Sequence, residues 1–325
     1  MSKDGSLDSL GPFDSLQLDS DLSLHPRIKL LLTIFRADKS VNPIDEWKIK
    51  RSLIEYLKSS HSIEVEDEKD VDIRKFKDLK KRKREDPVAR GALVIRDLGF
   101  LSRLKNEDDV EKKFFEWRKN FVAKMDGMEL NLEGSKFKLG AVLPPSDDFE
   151  AMRKEWEENL AFGNRGHNRG GRQPDTLVLR GVPSRWFAET RVSSKPSMLV
   201  THTIFSALGK IRNLDVAEDN DISLDADDDG EEIVSGLLCK IVVRYETYKD
   251  FHDALKILSG HSLQKQGSRL KADYEVTWDR DGFFQNGRTR TEGRSRWEPT
   301  NGSGRRYYNA TQYNPDEARP KRFRE

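Results

Sequence analysis

The chain has 325 residues, 35% of them hydrophobic and 35% charged, and its formal net charge is only +1. Because the net charge is so small, no global field attracts the chain to nucleic acid, and any such preference must come from local patches. The single cysteine, Cys239, excludes an internal disulfide and is typical of a reducing, intracellular compartment. The longest apolar run, Leu30–Phe35, is far shorter than the roughly 20 residues of a membrane span, so we expect no membrane contact.

The first half of the chain predicts an acidic tail followed by an α+β domain. Residues 1–23 are rich in Ser, Asp and Leu and are predicted to be disordered, with a short docking helix as the alternative. Residues 24–160 are predicted to form the domain, in the order strand–helix–strand–strand–helix–strand. Its clearest strands are Ile28–Phe35 and Ala92–Ile95, whereas the second strand is poorly defined within a charged insertion at about 63–90.

The second half repeats this order more clearly. Residues 161–174 form a Gly/Arg linker, and residues 175–279 predict a four-stranded sheet with two helices on one face and a last strand at Leu270–Val276. This is the architecture of an RNA recognition motif (RRM). Residues 280–325 are a Gly/Arg/aromatic tail without periodicity. The predicted fold class is therefore α+β, with two ferredoxin-like (RRM-like, βαββαβ) domains in tandem and disordered N- and C-terminal tails.

The predicted RNA-reading positions of the second domain carry no aromatic residues. Side chains alternate across a strand, so Leu177 and Leu179 point to the helices and Val178 points outwards. On the third strand, LCKIVVRY, the two stacking positions fall on Lys240 and Val242. Lys240 and Arg244, with Arg180 beside them, are candidates for weak phosphate contacts without base selection. A solvated strand face that does not bind RNA is the alternative.

An acidic stretch in the same domain argues against a phosphate clamp. Asp215–Glu232 contains ten Asp/Glu residues and no Lys or Arg, which would repel phosphate. Its sequence also imitates the start of a calcium loop, but Gly236 stands where the bidentate Glu is needed. We therefore predict no metal site and no cofactor.

Two basic segments predict function outside the sheets. A nuclear localisation patch is predicted in the charged insertion, or else a plain solvated run; its residues are Lys80, Lys81, Arg82, Lys83 and Arg84. The C-terminal tail interleaves arginines with aromatic residues, which suits sequence-tolerant RNA contact. The RNA-contacting candidates in this tail are Arg288, Arg290, Arg305, Arg306, Tyr307 and Tyr308.

A short motif in the tail predicts a protein partner. It is similar to the tryptophan ligands that splicing factors present to RRM-like protein-binding domains, where one buried ring anchors the contact. Chance occurrence in an Arg-rich tail is the alternative. The motif comprises Arg294, Arg296, Trp297 and Glu298.

Catalysis finds no support in the sequence. The six histidines are scattered without metal-ligand spacing, and the chain has neither a phosphate-binding loop of the G-x-x-x-x-G-K-[ST] type nor a Ser or Cys in a nucleophile motif. We therefore predict a protein that is not an enzyme and has no catalytic residues.

Residues 173–216 carry a more specific resemblance. The segments Pro174–Thr176, Gly181–Pro183, Trp186–Ala188, Lys195–Ser197 and Leu208–Asp215 resemble the A-kinase anchor protein 17A family, also described as arginine/serine-rich splicing factors. The resemblance implies a nuclear, speckle-associated protein that affects pre-mRNA splicing and contacts RNA, with shuttling left open. Kinase anchoring in that family is tied to a long, charged C-terminal helical region. This chain ends in a short Gly/Arg tail, so we do not expect binding to the protein kinase A regulatory subunit.

Together these patterns predict a non-enzymatic nuclear protein of pre-mRNA splicing. It would bind RNA weakly through the basic tail and the sheet Lys/Arg residues, and would bind splicing-factor partners. One alternative is a sequence-tolerant RNA-binding protein that uses a non-aromatic RRM sheet surface. A second alternative is a protein kinase A anchoring scaffold.

Overall fold

The computed structural model describes residues 11, 13–37, 45–65, 68–76, 86–99, 110–132, 135–162, 173–189, 192, 194–219 and 237–284. Residues Met1–Arg280 form one compact unit, and a second unit comprises Asp281–Glu325. The helices in the described ranges are α1 (Glu46–His61), α2 (Val110–Met125), α3 (Phe149–Phe162), α4 (Met198–Ser206) and α5 (Tyr248–Leu258). Within those ranges no helix is both long and apolar enough to cross a membrane.

The strands form three antiparallel sheets, so the chain is an α+β protein. In chain order the strands are β1 (Leu16–Gln17), β2 (Leu22–Pro26), β3 (Ile28–Arg36), β4 (Val71–Lys75), β5 (Ala89–Ile95), β6 (Glu129–Leu132), β7 (Ser135–Val142), β8 (Thr176–Pro183), β9 (Ile211–Glu218), β10 (Leu238–Tyr245), β11 (His261–Lys265), β12 (Lys271–Ala272) and β13 (Glu275–Trp278).

The first sheet has the strand order β4-β5-β3-β7-β6. Its central strand, β3, reads IKLLLTIFR, and every second residue, Leu30, Leu32 and Ile34, is at most 1% exposed. These side chains pack against the apolar faces of α1 and α2. Helix α1 begins where the Asp45 carboxylate accepts backbone N–H groups of the first turn, which satisfies donors that lack intrahelical partners. The poorly defined second strand is β4, at Val71–Lys75.

The second sheet has the strand order β13-β8-β10-β9. Leu177 and Leu179 of β8 and Ile241 and Val243 of β10 are fully buried against the helices. Helix α5 is capped by Thr247, whose hydroxyl accepts the backbone N–H of Asp250 at 3.1 Å. The inward positions that alternation predicts on these strands are therefore the ones that build the core.

The predicted disorder of residues 1–23 is wrong for residues 13–23. Strand β2 pairs with β11 in a third sheet, β1-β2-β11-β12, and Leu22 and Leu24 are 0% exposed in the core under the second sheet. The leucines of this polar segment pack on the apolar core. The free energy gained by burying them offsets the entropy cost of ordering the chain. Residues 1–10 and 12 lie outside the described residues.

Helix α3 also packs on the second core. Met152 and Trp156 are at most 3% exposed, and the Trp156 ring meets Phe251 of α5 edge-on with the centroids 5.7 Å apart. On the other side of the helix, Glu155 accepts hydrogen bonds from Trp278 and Arg280. The helix at the end of the first half thus belongs structurally with the second sheet.

The predicted last strand, Leu270–Val276, is interrupted and becomes β12 and β13. The two residues between them turn to make buried polar contacts. The Tyr274 hydroxyl donates to the carbonyl of Leu258 at 3.0 Å, and the Asp273 carboxylate faces two arginines. The two strands also pair in different sheets, β12 with β11 and β13 with β8.

The two arginines belong to the first sheet region, so Asp273 joins the two halves. Arg27, between β2 and β3, places Nε 3.1 Å from Asp273 Oδ1, and Arg96, just after β5, places Nη2 2.8 Å from Asp273 Oδ2. Arg27 also forms an ion pair with Asp147, and Arg96 Nε donates to Asp70 Oδ1 at 2.8 Å. We call these five residues the arginine–aspartate joint.

The joint shifts the pKa values of its acids in opposite directions. Burial raises the pKa of the Asp273 carboxyl, but the positive charges of Arg27 and Arg96 outweigh it, so this pKa lies below its ordinary value. For Asp147, burial outweighs the charge of Arg27, and the pKa lies above its ordinary value. The ionised form of Asp273 is thus the one that the fold favours.

We expect Asp273→Asn to lower the free energy of unfolding by about 3 kcal/mol at neutral pH, because two buried guanidinium groups lose their shared anion. The Asp273 contribution is present above its unfolded-state pKa of about 3.9 and is lost as the pH falls through the lowered folded-state value. Because the pKa of Asp147 is raised in the folded chain, its contribution to the free energy of unfolding decreases as the pH rises. Urea unfolding between about pH 7 and pH 3 measures both effects, with the exposed Glu158→Gln as a control for loss of one charge. Equal free energies of unfolding for D273N and wild type would contradict the claim that the arginine–aspartate joint stabilises the fold.

We expect Leu24→Ala to lower the free energy of unfolding by about 3 kcal/mol, because it opens a cavity in the second core. Urea unfolding measures the loss. Leu199→Ala is the matched control, since that side chain is 70% exposed on α4 and should cost far less. An unchanged free energy of unfolding for L24A would contradict the packing of strand β2 on the second core.

Candidate nucleic-acid interface

The face of the second sheet that points away from α4 and α5 contains the predicted RNA-reading positions. Val178 of β8 lies opposite Val242 of β10, and this row continues to Thr277 of β13 and Asp215 of β9. The row contains a Thr, two valines and an Asp, so it offers no aromatic ring to a base. Stacking contributes about 1–3 kcal/mol per base, and this sheet lacks that contribution.

Val242 is more buried than the sequence predicts. It is only 1% exposed, and Val178 is half-buried. Alternation correctly places Val242 on the face opposite the core, but the surrounding structure covers it. Val242 stays a predicted RNA-contact position, but its side chain has little accessible surface to offer a ligand.

Arg244 is engaged by the protein itself. Its Nε donates to Asp175 Oδ2 at 2.9 Å, and the residue is 9% exposed. Asp175 is held in place by the Thr176 hydroxyl, which donates to Oδ1 at 2.8 Å. A phosphate would have to displace this carboxylate and enter a buried position. The phosphate contact of Arg244 therefore stays a prediction, and this geometry disfavours it.

The other two cations of this face are half-buried. Arg180 stands opposite Glu275 in the strand register, and Lys240 stands opposite Ala217. The cross-strand pairing of Arg180 with an acid reduces the positive potential of the face. Among the cations that the sequence predicts on this sheet, Arg180 and Lys240 are the ones with partly accessible side chains.

Cys239 on β10 is not a nucleophile at neutral pH. Burial raises the pKa of its thiol to about 12, and the residue is 0% exposed. Only a thiolate attacks or binds metal effectively, so this cysteine serves as a core residue.

Several predicted sites lie outside the described residues. These are the basic patch Lys80–Arg84, the tail residues from 285 onwards, and residues 220–236 of the acidic stretch. Asp215 and Glu218, at the start of that stretch, belong to strand β9. The functions predicted for the basic patch and the tail stay predictions.

A cavity of about 290 Å³ lies between α2 and α5. Phe114, Phe115 and Arg118 of α2 line one side, and His252 and Lys256 of α5 line the other. Its cations are engaged by acceptors of the protein, since Lys256 Nζ lies 2.8 Å from Glu111 and Arg118 donates to the carbonyl of Asp147 at 3.3 Å. The cavity is therefore a weaker phosphate site than an open basic surface.

The first sheet, in contrast, has two aromatic residues on the face that points away from its helices. Phe35 of β3 and Phe76, next to the end of β4, are half-buried on the face opposite the core. Neither residue was predicted from the sequence as a binding residue. The signal was available in the alternation of Ile28–Phe35, which places Lys29, Leu31, Thr33 and Phe35 on a single face.

Comparison with known proteins supplies the class of the chain. Residues 109–306, more than half of its length, match the family model described as "AKAP-17A-like, RNA-binding domain". The chain belongs to this family. The match begins just before α2 and includes the whole of the second sheet.

A curated relative supports the same family. Human A-kinase anchor protein 17A is 28% identical over 192 residues, which is 52% of this chain and 25% of that protein. The chain therefore matches about a quarter of the length of its relative. Among solved structures, a Cas6 product complex has 11% sequence identity and a TM-score of 0.25, with 78% of this chain and 99% of that chain covered.

Proposed function

We propose that the protein is a non-enzymatic nuclear RNA-binding protein that acts in pre-mRNA splicing. The observation that carries this proposal is the match of residues 109–306 to an RNA-binding domain family. The ligand is single-stranded RNA, bound weakly and with little sequence selection. Weak binding follows from the second sheet, where valines and paired charges stand in place of stacking rings.

We further propose that residues 24–160 and 175–279 are two RRM-like domains. The strand orders support this, because numbering the four main strands of each half in chain order gives 2-3-1-4 in both sheets. Among the described helices, α1 and α2 pack on one face of the first sheet, and α4 and α5 pack on one face of the second. Strand β6 extends the first sheet at its edge.

The basic tail supplies sequence-tolerant RNA contacts in this proposal. Residues 279–325 contain eleven Lys/Arg and seven Asp/Glu residues, with aromatic residues between them. Arginine contacts phosphates and stacks on bases, and tyrosine stacks without reading base identity. The alternative is that the non-aromatic face of the second sheet, through Arg180 and Lys240, makes the main RNA contact.

Protein partners and localisation complete the proposal. Trp297 with its neighbouring arginines binds an RRM-like protein-binding domain of a splicing factor, and Lys80–Arg84 directs the chain to the nucleus and its speckles. Kinase anchoring is suggested by the name of the human relative, and the chain matches only 25% of that relative. We therefore do not include anchoring in the proposed function.

We expect the full chain to bind labelled single-stranded RNA of random sequence, with an affinity that falls as salt rises from about 0.05 to 0.2 M. Fluorescence anisotropy measures the dissociation constant. Changing Arg288, Arg290, Arg305 and Arg306 to Gln should weaken binding and flatten the salt dependence, since the slope falls by about 0.7 per lost phosphate contact. Arg180→Glu/Lys240→Glu should have a smaller effect.

Two results would change the proposal. If Arg180→Glu/Lys240→Glu abolishes binding and the tail variant does not, the non-aromatic sheet surface is the RNA site. If the full chain shows no salt-sensitive RNA binding, the proposed function is wrong.

We expect Trp297→Ala to remove a splicing-factor partner from pull-downs with the full chain, because the buried ring is the anchor of such contacts. Quantitative mass spectrometry of the captured proteins measures the loss. Trp47→Ala is the matched control, as that tryptophan is 50% exposed on α1. If W297A captures the same proteins as wild type, the motif around Trp297 does not bind a splicing factor.

A further inference from the structure

The face of the first sheet that points away from α1 and α2 is accessible, and we call it the open face. The core residues Leu30, Leu32 and Ile34 fix its composition, because the side chains between them point the other way. Leu31 and Val142 on this face are 37% and 55% exposed. The register of the neighbouring strands adds further members, which are Arg74, Arg90, Ala92, Lys136, Lys138 and Gly140.

Two aromatic rings lie at one end of the open face. Phe35 stands on the central strand with its ring beside Gly140, where a Cβ atom would be 3.5 Å from the ring carbon Cε2. The glycine thus leaves the neighbouring surface flat. Phe76 continues β4, and its N–H donates to the carbonyl of Val88 at 3.0 Å. The strand order puts Phe35 and Phe76 two strands apart, or about 10 Å.

The charge of the open face favours an anion. Its described residues include five cations and two acids, namely Lys29, Arg74, Arg90, Lys136, Lys138, Asp72 and Glu129. Arg74 and Arg90 stand directly opposite each other on β4 and β5. Like charges at such positions repel each other. Arg74 Nε donates to Asp72 Oδ2 at 3.1 Å, so part of this repulsion is already offset, and a bound phosphate would add a second anion beside the arginine pair.

One of these arginines is already arranged with a ring. The guanidinium carbon of Arg90 lies 5.7 Å from the centre of the Phe76 ring. A guanidinium next to an aromatic ring provides a base-stacking platform and a phosphate contact at adjacent positions. The corresponding face of the second sheet has neither an aromatic ring nor two opposed arginines on its described strands. The two sheets therefore offer different chemistry to a ligand.

We propose that the open face of the first sheet binds single-stranded RNA. Phe35 and Phe76 stack on bases. Arg74 and Arg90 contact phosphates between the rings, and Lys136 and Lys138 contact the backbone beside Phe35. The inference rests on the proposed function, namely that the chain binds RNA. It assigns a site on strands β3, β4, β5 and β7, of which the first three precede the family match at residue 109 and β7 lies within it.

The test measures anisotropy of labelled random single-stranded RNA with the full chain. Phe35→Ala/Phe76→Ala should weaken binding by at least about tenfold, since each ring stacks on a base. Its control is Trp47→Ala, which removes an exposed ring that also lies near an arginine, with Arg51 5.9 Å from the ring centre. The control should bind like wild type. Phe35→Leu/Phe76→Leu keeps the apolar bulk and should lose affinity too, which separates stacking from loss of fold.

Lysine variants test the phosphate contacts. Lys136→Gln/Lys138→Gln should weaken binding and reduce the salt slope by about 1.4. Its control, Lys112→Gln/Lys119→Gln on the exposed side of α2, should leave the slope unchanged. Urea unfolding confirms that each variant is folded.

Photo-cross-linking of RNA to the wild-type chain gives a readout that needs no variant. Cross-linked nucleotides should map to peptides that contain Phe35 and Phe76. If the chain binds RNA, but both Phe variants bind within twofold of wild type and the cross-links map elsewhere, the inference is wrong and the proposed function stands. If the open-face variants lose captured proteins and keep RNA affinity, the face binds a protein and the inference is again wrong. If wild type does not bind RNA, the proposed function itself fails.

Discussion

The Asp273 carboxylate, shared between Arg27 and Arg96, is the interaction on which the arrangement of the two halves depends. Both guanidinium groups come from the ends of first-sheet strands, and the acid comes from the break before the last strand of the second sheet. Buried charges are costly unless they are paired, so this geometry is strongly preferred over any arrangement that leaves one arginine alone. Asp273 and Tyr274 lie at the break where the chain passes from the third sheet, in β12, to the second sheet, in β13. The leucines of the N-terminal strands pack on the second core.

The two sheets share a strand order but present different surfaces. The second sheet uses its charges internally, since Arg244 binds Asp175 and Val242 is covered. The first sheet leaves two phenylalanines and opposed arginines at one end of an accessible face. Residues 109–306, which match the RNA-binding family, thus include the second sheet, and its surface is the less favourable one for RNA. In the proposals made above, RNA contact is therefore assigned to the first sheet and the basic tail, with the second sheet as the alternative site.

Local periodicity predicted the elements of the second half because their apolar residues alternate or recur at helical spacing, as in β10 and α5. It predicted neither β2 nor β11, because Leu22 and Leu24 stand among polar residues and their partner strand is more than 200 residues away. The joint was unpredictable for the same reason, as Arg27 and Asp273 meet only in the folded chain. Parity placed Val178 and Val242 on the correct face, but it does not report what covers that face. Phe35 follows the same parity rule, and its role emerges only when α1 and α2 show which face is open.

Hydrogen exchange of the full chain with and without single-stranded RNA tests the central claim most directly, because it reports the contacted strands without any substitution. The account predicts that RNA slows backbone exchange in β3, at the end of β4 around Phe76 and in β7, with little change in β8 and β10. Slowed exchange in residues 176–183 and 238–245, with none in residues 28–36, would contradict it. That result would place RNA on the non-aromatic face of the second sheet.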